Sequence, residues 1–252
     1  MTALLTGVPE GFVSLRVNRA RAVVRADAAD GFEQLLRGGE LHRVASRTPG
    51  VVRYQGRAPA FGIMLPRSGS RIVVRHVMHG GLLAAITGDR FFMGGRAPYE
   101  LAVSERLLDL GVATPRFVGY VLYPAGPFFT RCDVATAEIA DASDLSVILA
   151  HAELVRPALE ATARLVVSLS QAGARHLDLN LKNILVTRRT IAPAAVVLDV
   201  DRILMQQRPS KALDANLARL ARSVRKWRSA KSLAVTDADL EWLSARAWEL
   251  AT

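Results

Sequence analysis

One stretch limits the folds open to this chain more than any other: Arg175-His176-Leu177-Asp178-Leu179-Asn180-Leu181-Lys182-Asn183-Ile184-Leu185-Val186. It reads as a loop that runs straight into an apolar strand. A second apolar run follows at Val196-Val197-Leu198-Asp199-Val200-Asp201. Asp178 is a carboxylate placed to take or orient a hydroxyl proton. Asn183 is an amide five positions later, and Asp199 ends the next strand. Asn183 and Asp199 are oxygen donors of the kind that Mg²⁺ takes. A short loop between Asp178 and Asn183 lets the chain turn from an acceptor towards a metal, and a strand pair returns Asp199 to the same edge.

The order H-x-D-x-x-x-x-N-I-L, then an apolar run ending in Asp, resembles the protein-kinase-like superfamily. That resemblance implies an α+β, protein-kinase-like, two-lobed fold. It would have an N-terminal lobe over residues 1–136, with an antiparallel sheet and one helix, and a mainly helical C-terminal lobe over residues 137–252. Residues 1–50 read as an extension without chemistry.

Composition agrees with a large domain or a two-lobed one. The chain has 252 residues, half of them hydrophobic, so it can bury a substantial core. There are 33 Lys and Arg against 23 Asp and Glu, a net charge of +10, which implies an anionic partner. Cys132 is the single cysteine, so no internal disulfide forms. The apolar start, Met1 to Leu5, is too soon interrupted by Glu10 and Arg16 for a signal peptide. No apolar run reaches the roughly 20 residues of a spanning helix. The expectation is a soluble, cytoplasmic protein.

Along the chain, Phe12 to Val24 alternates apolar and polar residues and predicts a strand, and 30–41 predicts a short helix. Val51 to Tyr54 and Phe61 to Leu65 predict a strand pair around Gly56-Arg57-Ala58-Pro59. Its glycines do not make GxGxxG. Arg71 to His76 predicts another strand. Where protein kinases carry a phosphate-holding lysine, Arg75 stands, and a guanidinium can hold phosphate oxygens bidentately. Glu100, at the start of a helix over 100–110, is placed to pair with Arg75. His76 and His79 read as polar loop residues. Gly80-Gly81 to Gly94-Gly95, with Phe91-Phe92 between, reads as a mobile, partly apolar surface. Strands are expected over 118–122 and 128–130, a hinge at Ala137-Glu138-Ile139, and a long helix over 154–169. From Arg202 to Lys231 nine basic residues face one acid, Asp214. Leu213, Leu217, Leu220, Val224 and Trp227 form its apolar stripe, and Arg219, Arg222 and Arg225 lie on another face, read as anion-facing. Trp242 and Trp248 read as packing residues of a final helix.

From about Gly56 to Lys226 the sequence resembles the lipopolysaccharide core kinases, the Kdo (3-deoxy-D-manno-octulosonic acid) kinases above all. The resemblance is carried by Val74-Arg75-His76 with Gly80-Gly81-Leu82, Asp89-Arg90-Phe91, Leu110-Gly111-Val112 with Pro115, and the two runs above. Asn216-Leu217-Ala218-Arg219-Leu220 with Arg222-Ser223-Val224-Arg225-Lys226 completes it. Met78-His79 departs from the basic residues expected there. The resemblance implies Asp178 as catalytic carboxylate, Asn183 and Asp199 as Mg²⁺ ligands, and Arg75 as phosphate-contacting cation with Glu100 its partner. Asp201 is implied either in metal or acceptor binding or in a turn. The implied activity is ATP-dependent phosphorylation of a Kdo hydroxyl on a lipid A precursor. It would be peripheral at the cytoplasmic face of the inner membrane, with an acidic membrane surface and an anionic glycolipid as partners and no nucleic acid. Two other readings stand beside it. One is a kinase for another sugar, a small molecule or a protein, the last disfavoured by Asn180 where protein kinases usually carry lysine. The other is a catalytically inactive binding module.

Overall fold

A computed structural model describes residues 7–56, 58–78, 89, 91–92, 96–187 and 193–252. They divide into two compact units, one of residues 1–102 with 116–138 and one of residues 103–115 with 139–252.

The first unit is built on an antiparallel sheet. Strands β1 (Phe12–Val17) and β2 (Ala20–Arg25) form a hairpin in which Val17 faces Ala20. The single strand expected over 12–24 is therefore two. Asn18 takes a left-handed conformation, φ 53°, which short polar side chains tolerate, and the period-2 pattern simply resumes after the turn. Helix α1 (Ala29–Arg37) stops at Gly38-Gly39, and a second short helix α2 (Leu41–Ala45) follows, so the helix expected over 30–41 is also divided. Then come β3 (Val52–Tyr54), β4 (Ala60–Met64), β5 (Arg71–His76), β6 (Phe91–Phe92), helix α3 (Ala97–Asp109), β7 (Phe117–Pro124) and β8 (Phe129–Ala137). Among the described residues the sheet order is β1-β2-β7-β8-β5-β4-β3, with β6 on β8.

Alternation along these strands sends Ile63, Ile72, Val74 and Ala135 to one face, where Phe32, Leu36 and Leu41 of α1 and α2 bury them. Val134 and Cys132 go to the other, against Ala97 and Leu101 of α3 and Phe12 of β1. The first fifty residues, as far as they are described, thus supply sheet edge and core rather than an extension. Strands β2 and β7 approach so closely at Gly119 that a Cβ there would lie 2.7 Å from Val24 Cγ1, so only glycine fits the observed backbone. The aromatic pair expected on a surface is partly internal, because β6 pairing on β8 buries Phe91. Residues 79–88, 90 and 93–95 of that loop, His79 included, lie outside the described residues.

The second unit is mainly helical. It contains β9 (Ala142–Asp144), α4 (Leu145–Ile148), α5 (Ala152–Gln171), β10 (Arg175–His176), β11 (Ile184–Thr187), β12 (Ala195–Val197), β13 (Ile203–Leu204), α6 (Pro209–Lys231) and α7 (Asp237–Ala251). Helix α5 is its axis. Leu159, Thr162, Ala163, Val166 and Leu169 are all inaccessible, and α6 and α7 pack against it. Two small antiparallel sheets, β12-β11-β9 and β10-β13, carry the loops discussed below. The first unit runs on to Glu138, and one segment is exchanged between the two units. Residues 103–115 go with the second unit, where Ala113 O accepts from Val197 N at 2.9 Å and Thr114 Oγ1 donates to Val197 O at 3.0 Å. Trp248 is partly exposed, and Trp242 packs under the Arg156 guanidinium, 4.1 Å from its ring centre. Among the described residues no helix is long and apolar enough to cross a membrane.

Candidate active site

The loop at 173–183 is built before its functional side chains are placed. Helix α5 ends at Gly173, whose φ of 65° turns the chain, and Gln207 N bonds Gly173 O at 2.9 Å. His176 pairs with Ile203 across β10-β13, and Leu177 N continues the ladder to Arg202 O. The His176 ring is buried. Its Nδ1 accepts the backbone N–H of Asp178 at 3.1 Å, which leaves Nε2 to donate to Leu198 O at 2.9 Å. That hydrogen-bond set defines a neutral imidazole, and burial pushes its pKa below the ordinary value. His176 is thus a strut between the backbones of Asp178 and Leu198.

Around this strut the rest closes. Asp178 O accepts Asn180 Nδ2 at 3.0 Å and Asn183 Nδ2 at 2.9 Å. Asn180 Oδ1 accepts Lys182 N at 2.9 Å, turning the chain into a short 3₁₀ segment over Leu181–Asn183. Leu198 N bonds Asn183 O at 2.9 Å, next to the Ile184–Val197 pair of β11-β12. The two ends of that strand pair therefore hold Asn183 and Leu198 side by side, and Asp199 follows in a left-handed conformation, φ 54°. Asp178, Asn183 and Asp199 are gathered in one hydrogen-bonded region of the second unit. Because Asn183 commits its amide nitrogen to Asp178 O, its Oδ1 is directed away from that bond. Asn183 Oδ1 and the exposed Asp199 carboxylate are both oxygen donors, the type that a hard divalent cation takes. Asp201 lies in the 3₁₀ turn Val200–Arg202, 3.7 Å from Arg202 Nε.

Arg75 and Glu100 belong to the first unit. The Arg75 guanidinium bonds the Glu100 carboxylate, which is almost wholly buried, so β5 is tied to α3. His76 is not a loop residue. It ends β5 with Nδ1 2.6 Å from Asp133 Oδ1 and Nε2 3.0 Å from Asp89 Oδ2. These contacts, Asp133 first, hold its pKa above the ordinary value against the opposing effect of burial. Asp133 Oδ2 also accepts Tyr123 Oη at 3.0 Å and His42 N at 2.9 Å, so the buried carboxylate is well satisfied.

Sequence reasoning missed three residues of α6. Asn216, wholly inaccessible, accepts His176 N at 2.9 Å and donates to Ala174 O at 3.0 Å. Ser223 Oγ accepts Leu181 N at 3.2 Å. Arg219, read as anion-facing, instead donates to Asp178 Oδ1 at 2.5 Å. Arg225 and Arg228 pair with Asp237, so the basic face is partly neutralised. The signal was two polar residues, Asn216 and Ser223, bordering an apolar stripe at a seven-residue spacing.

Residues 54–246 match the lipopolysaccharide kinase (Kdo/WaaP) family. Similar proteins include the 3-deoxy-D-manno-octulosonic acid kinases of Vibrio vulnificus and Xylella fastidiosa. The first is 28% identical over 193 residues, 75% of this chain and 78% of the relative. The second is 28% identical over 220 residues, 85% and 81%. Among solved structures, WaaP in complex with acyl carrier protein matches at TM-score 0.49 and 19% identity, covering 88% of this chain and 97% of that one. The Rio2 kinase–ADP/Mg²⁺–phosphoaspartate complex from Chaetomium thermophilum matches at TM-score 0.49 and 15% identity, covering 96% and 80%. Its elements are α+β, and with a family match over residues 54–246, most of its length, the chain belongs to the lipopolysaccharide kinase (Kdo/WaaP) family, phosphotransferases with a hydroxyl acceptor.

Proposed function

We propose that the protein transfers the γ-phosphate of ATP to a Kdo hydroxyl of a lipopolysaccharide inner core or lipid A precursor, at the cytoplasmic face of the inner membrane. The observation that carries this reading is the network braced by His176 that links Asp178 to Asn183 and Asn183 to Leu198, the neighbour of Asp199. Asp178 orients the acceptor hydroxyl for in-line attack and takes its proton. Asn183 and Asp199 would hold Mg²⁺, which when bound neutralises charge on the phosphates. Arg75, steadied by Glu100, contacts the nucleotide phosphates. The transition state of phosphoryl transfer is loose, so position and charge matter more than strong base catalysis. Exposed Arg222 and Lys226, close along α6, suit an anionic glycolipid acceptor at an acidic membrane surface.

The test is transfer of labelled γ-phosphate from ATP to a Kdo-bearing lipid A precursor. Asp178→Asn should lower turnover by about 10²–10⁴-fold while Mg²⁺-ATP still binds. Near-normal turnover in that variant removes Asp178 from its role. Transfer to other sugars but not to Kdo would redirect the acceptor and keep the chemistry.

A further inference from the structure

Helix α6 presents Asn216, Arg219 and Ser223 at i, i+3 and i+7, along one edge of the helix. Each grips a different point of the 174–183 loop. Asn216 holds the backbone at Ala174 and His176, and Ser223 holds Leu181 N. Arg219 alone of the three reaches a side chain, donating from Nη2 to Asp178 Oδ1 at 2.5 Å. We propose that Arg219 is a positioning residue for phosphoryl transfer, holding the Asp178 carboxylate in the rotation that the acceptor hydroxyl meets; the inference rests on the functional reading above.

The reasoning is geometric. The bonds from His176 Nδ1, Asn180 and Asn183 fix the backbone N–H and C=O of Asp178. They leave its side-chain torsions to be set by other contacts. A guanidinium is planar and rigid, so a bond to one carboxylate oxygen constrains the plane of the group. Its base is rigid as well, because Leu217 and Leu220, either side of Arg219, are buried in the core of the unit. Arg225 and Arg228 on the same helix pair with Asp237, which lies outside the loop. The pairing with a reacting carboxylate sets Arg219 apart from them.

The experiment is steady-state kinetics of Arg219→Ala and Arg219→Lys with the Kdo-bearing acceptor, beside Asp178→Asn and the double variant. Arg219→Ala should lose on the order of 10²-fold in kcat, the size of effect that a misplaced reacting group produces. Its KM for ATP should stay within about twofold, because Arg219 acts through Asp178 and not on the nucleotide. Millimolar guanidinium ion should restore part of that kcat in Arg219→Ala and none in Asp178→Asn. Arg219→Lys should fall between, since an ammonium lacks the fork. The double variant should be no slower than Asp178→Asn alone. Arg164→Ala, an exposed arginine of α5, controls for loss of surface charge. The proposal is overturned by wild-type kcat in Arg219→Ala, by the absence of guanidinium rescue, or by losses that multiply in the double variant. Should Arg219→Ala fail to fold, Arg219→Lys decides the matter by a kcat loss at unchanged KM, and wild-type kcat there overturns the proposal too. If Asp178→Asn loses turnover and Arg219→Ala keeps wild-type kcat, this inference falls and the functional reading stands. If the wild-type protein transfers phosphate to no hydroxyl acceptor, both fall.

Discussion

Replacing Asn216 with alanine removes a side chain that no solvent reaches and strands two backbone groups at once. The His176 N–H loses its acceptor at 2.9 Å, and the Ala174 carbonyl loses its donor at 3.0 Å. His176 is 1% exposed and Ala174 is wholly buried, so water does not replace either bond without opening the loop. A stranded buried polar group costs roughly 1–3 kcal/mol, so the pair costs about 3 kcal/mol after partial relaxation. At about 2–4 °C per kcal/mol for a chain of this size, the melting temperature should fall by roughly 6–12 °C. Ser229→Ala, an exposed change on the same helix, should stay within about 0.5 kcal/mol of wild type. Thermal unfolding followed by circular dichroism reads the first effect. Amide hydrogen exchange at His176 reads the second, which should be faster in Asn216→Ala because its N–H has lost its partner. Phosphate transfer should also drop, since His176 carries the backbone of Asp178. An Asn216→Ala protein that melts with wild type and keeps His176 protected would mean that these two bonds do not hold the loop.

Two further outcomes concern the first unit. The pKa of His76 is held above its unfolded value by Asp133 and Asp89, with the His42 ring also against it, centroids 5.7 Å apart. Its contribution to stability is fully present below about pH 6.5 and is lost as pH rises through the raised folded value. The urea midpoint of the wild type should therefore decline more between pH 6 and pH 9 than that of His76→Gln, and parallel curves would refute the charge assignment. Glu100→Gln leaves the Arg75 guanidinium without its carboxylate partner, and should raise KM for ATP about tenfold, equivalent to ~1.4 kcal/mol, with little change in the acceptor KM. An unchanged ATP KM would separate the pair from nucleotide binding.

How far the sequence could be read depended on how local each signal was. The β11-β12 pair and the loop ahead of it are written in contiguous residues, so Asn183 and Asp199 could be brought to one edge from spacing alone. Strand β5 and its cation were legible for the same reason, as a short apolar alternation ending in Arg75. The hairpin at 12–25 was read as one strand because alternation has the same period on both arms, and nothing but the tolerance of Asn18 for a left-handed turn marks the reversal. His76 was misread because its partner Asp133 lies 57 residues away in the sequence and meets it only through the β5-β8 register.

Local chemistry therefore determined the loop and strand pair that carry Asp178, Asn183 and Asp199, the strand that carries Arg75, and the helical stripe of α6. Those features depend on neighbours within a turn or a short loop, where covalent spacing controls which groups meet. The tertiary structure decided which edge of α6 touches the loop, that Arg219 meets Asp178, and that residues 12–25 add two strands to the sheet. These are contacts between groups that sequence separates by tens of residues. Their geometry comes from packing α6 against α5 and from the pairing of β2 with β7, which no periodicity within one segment can specify.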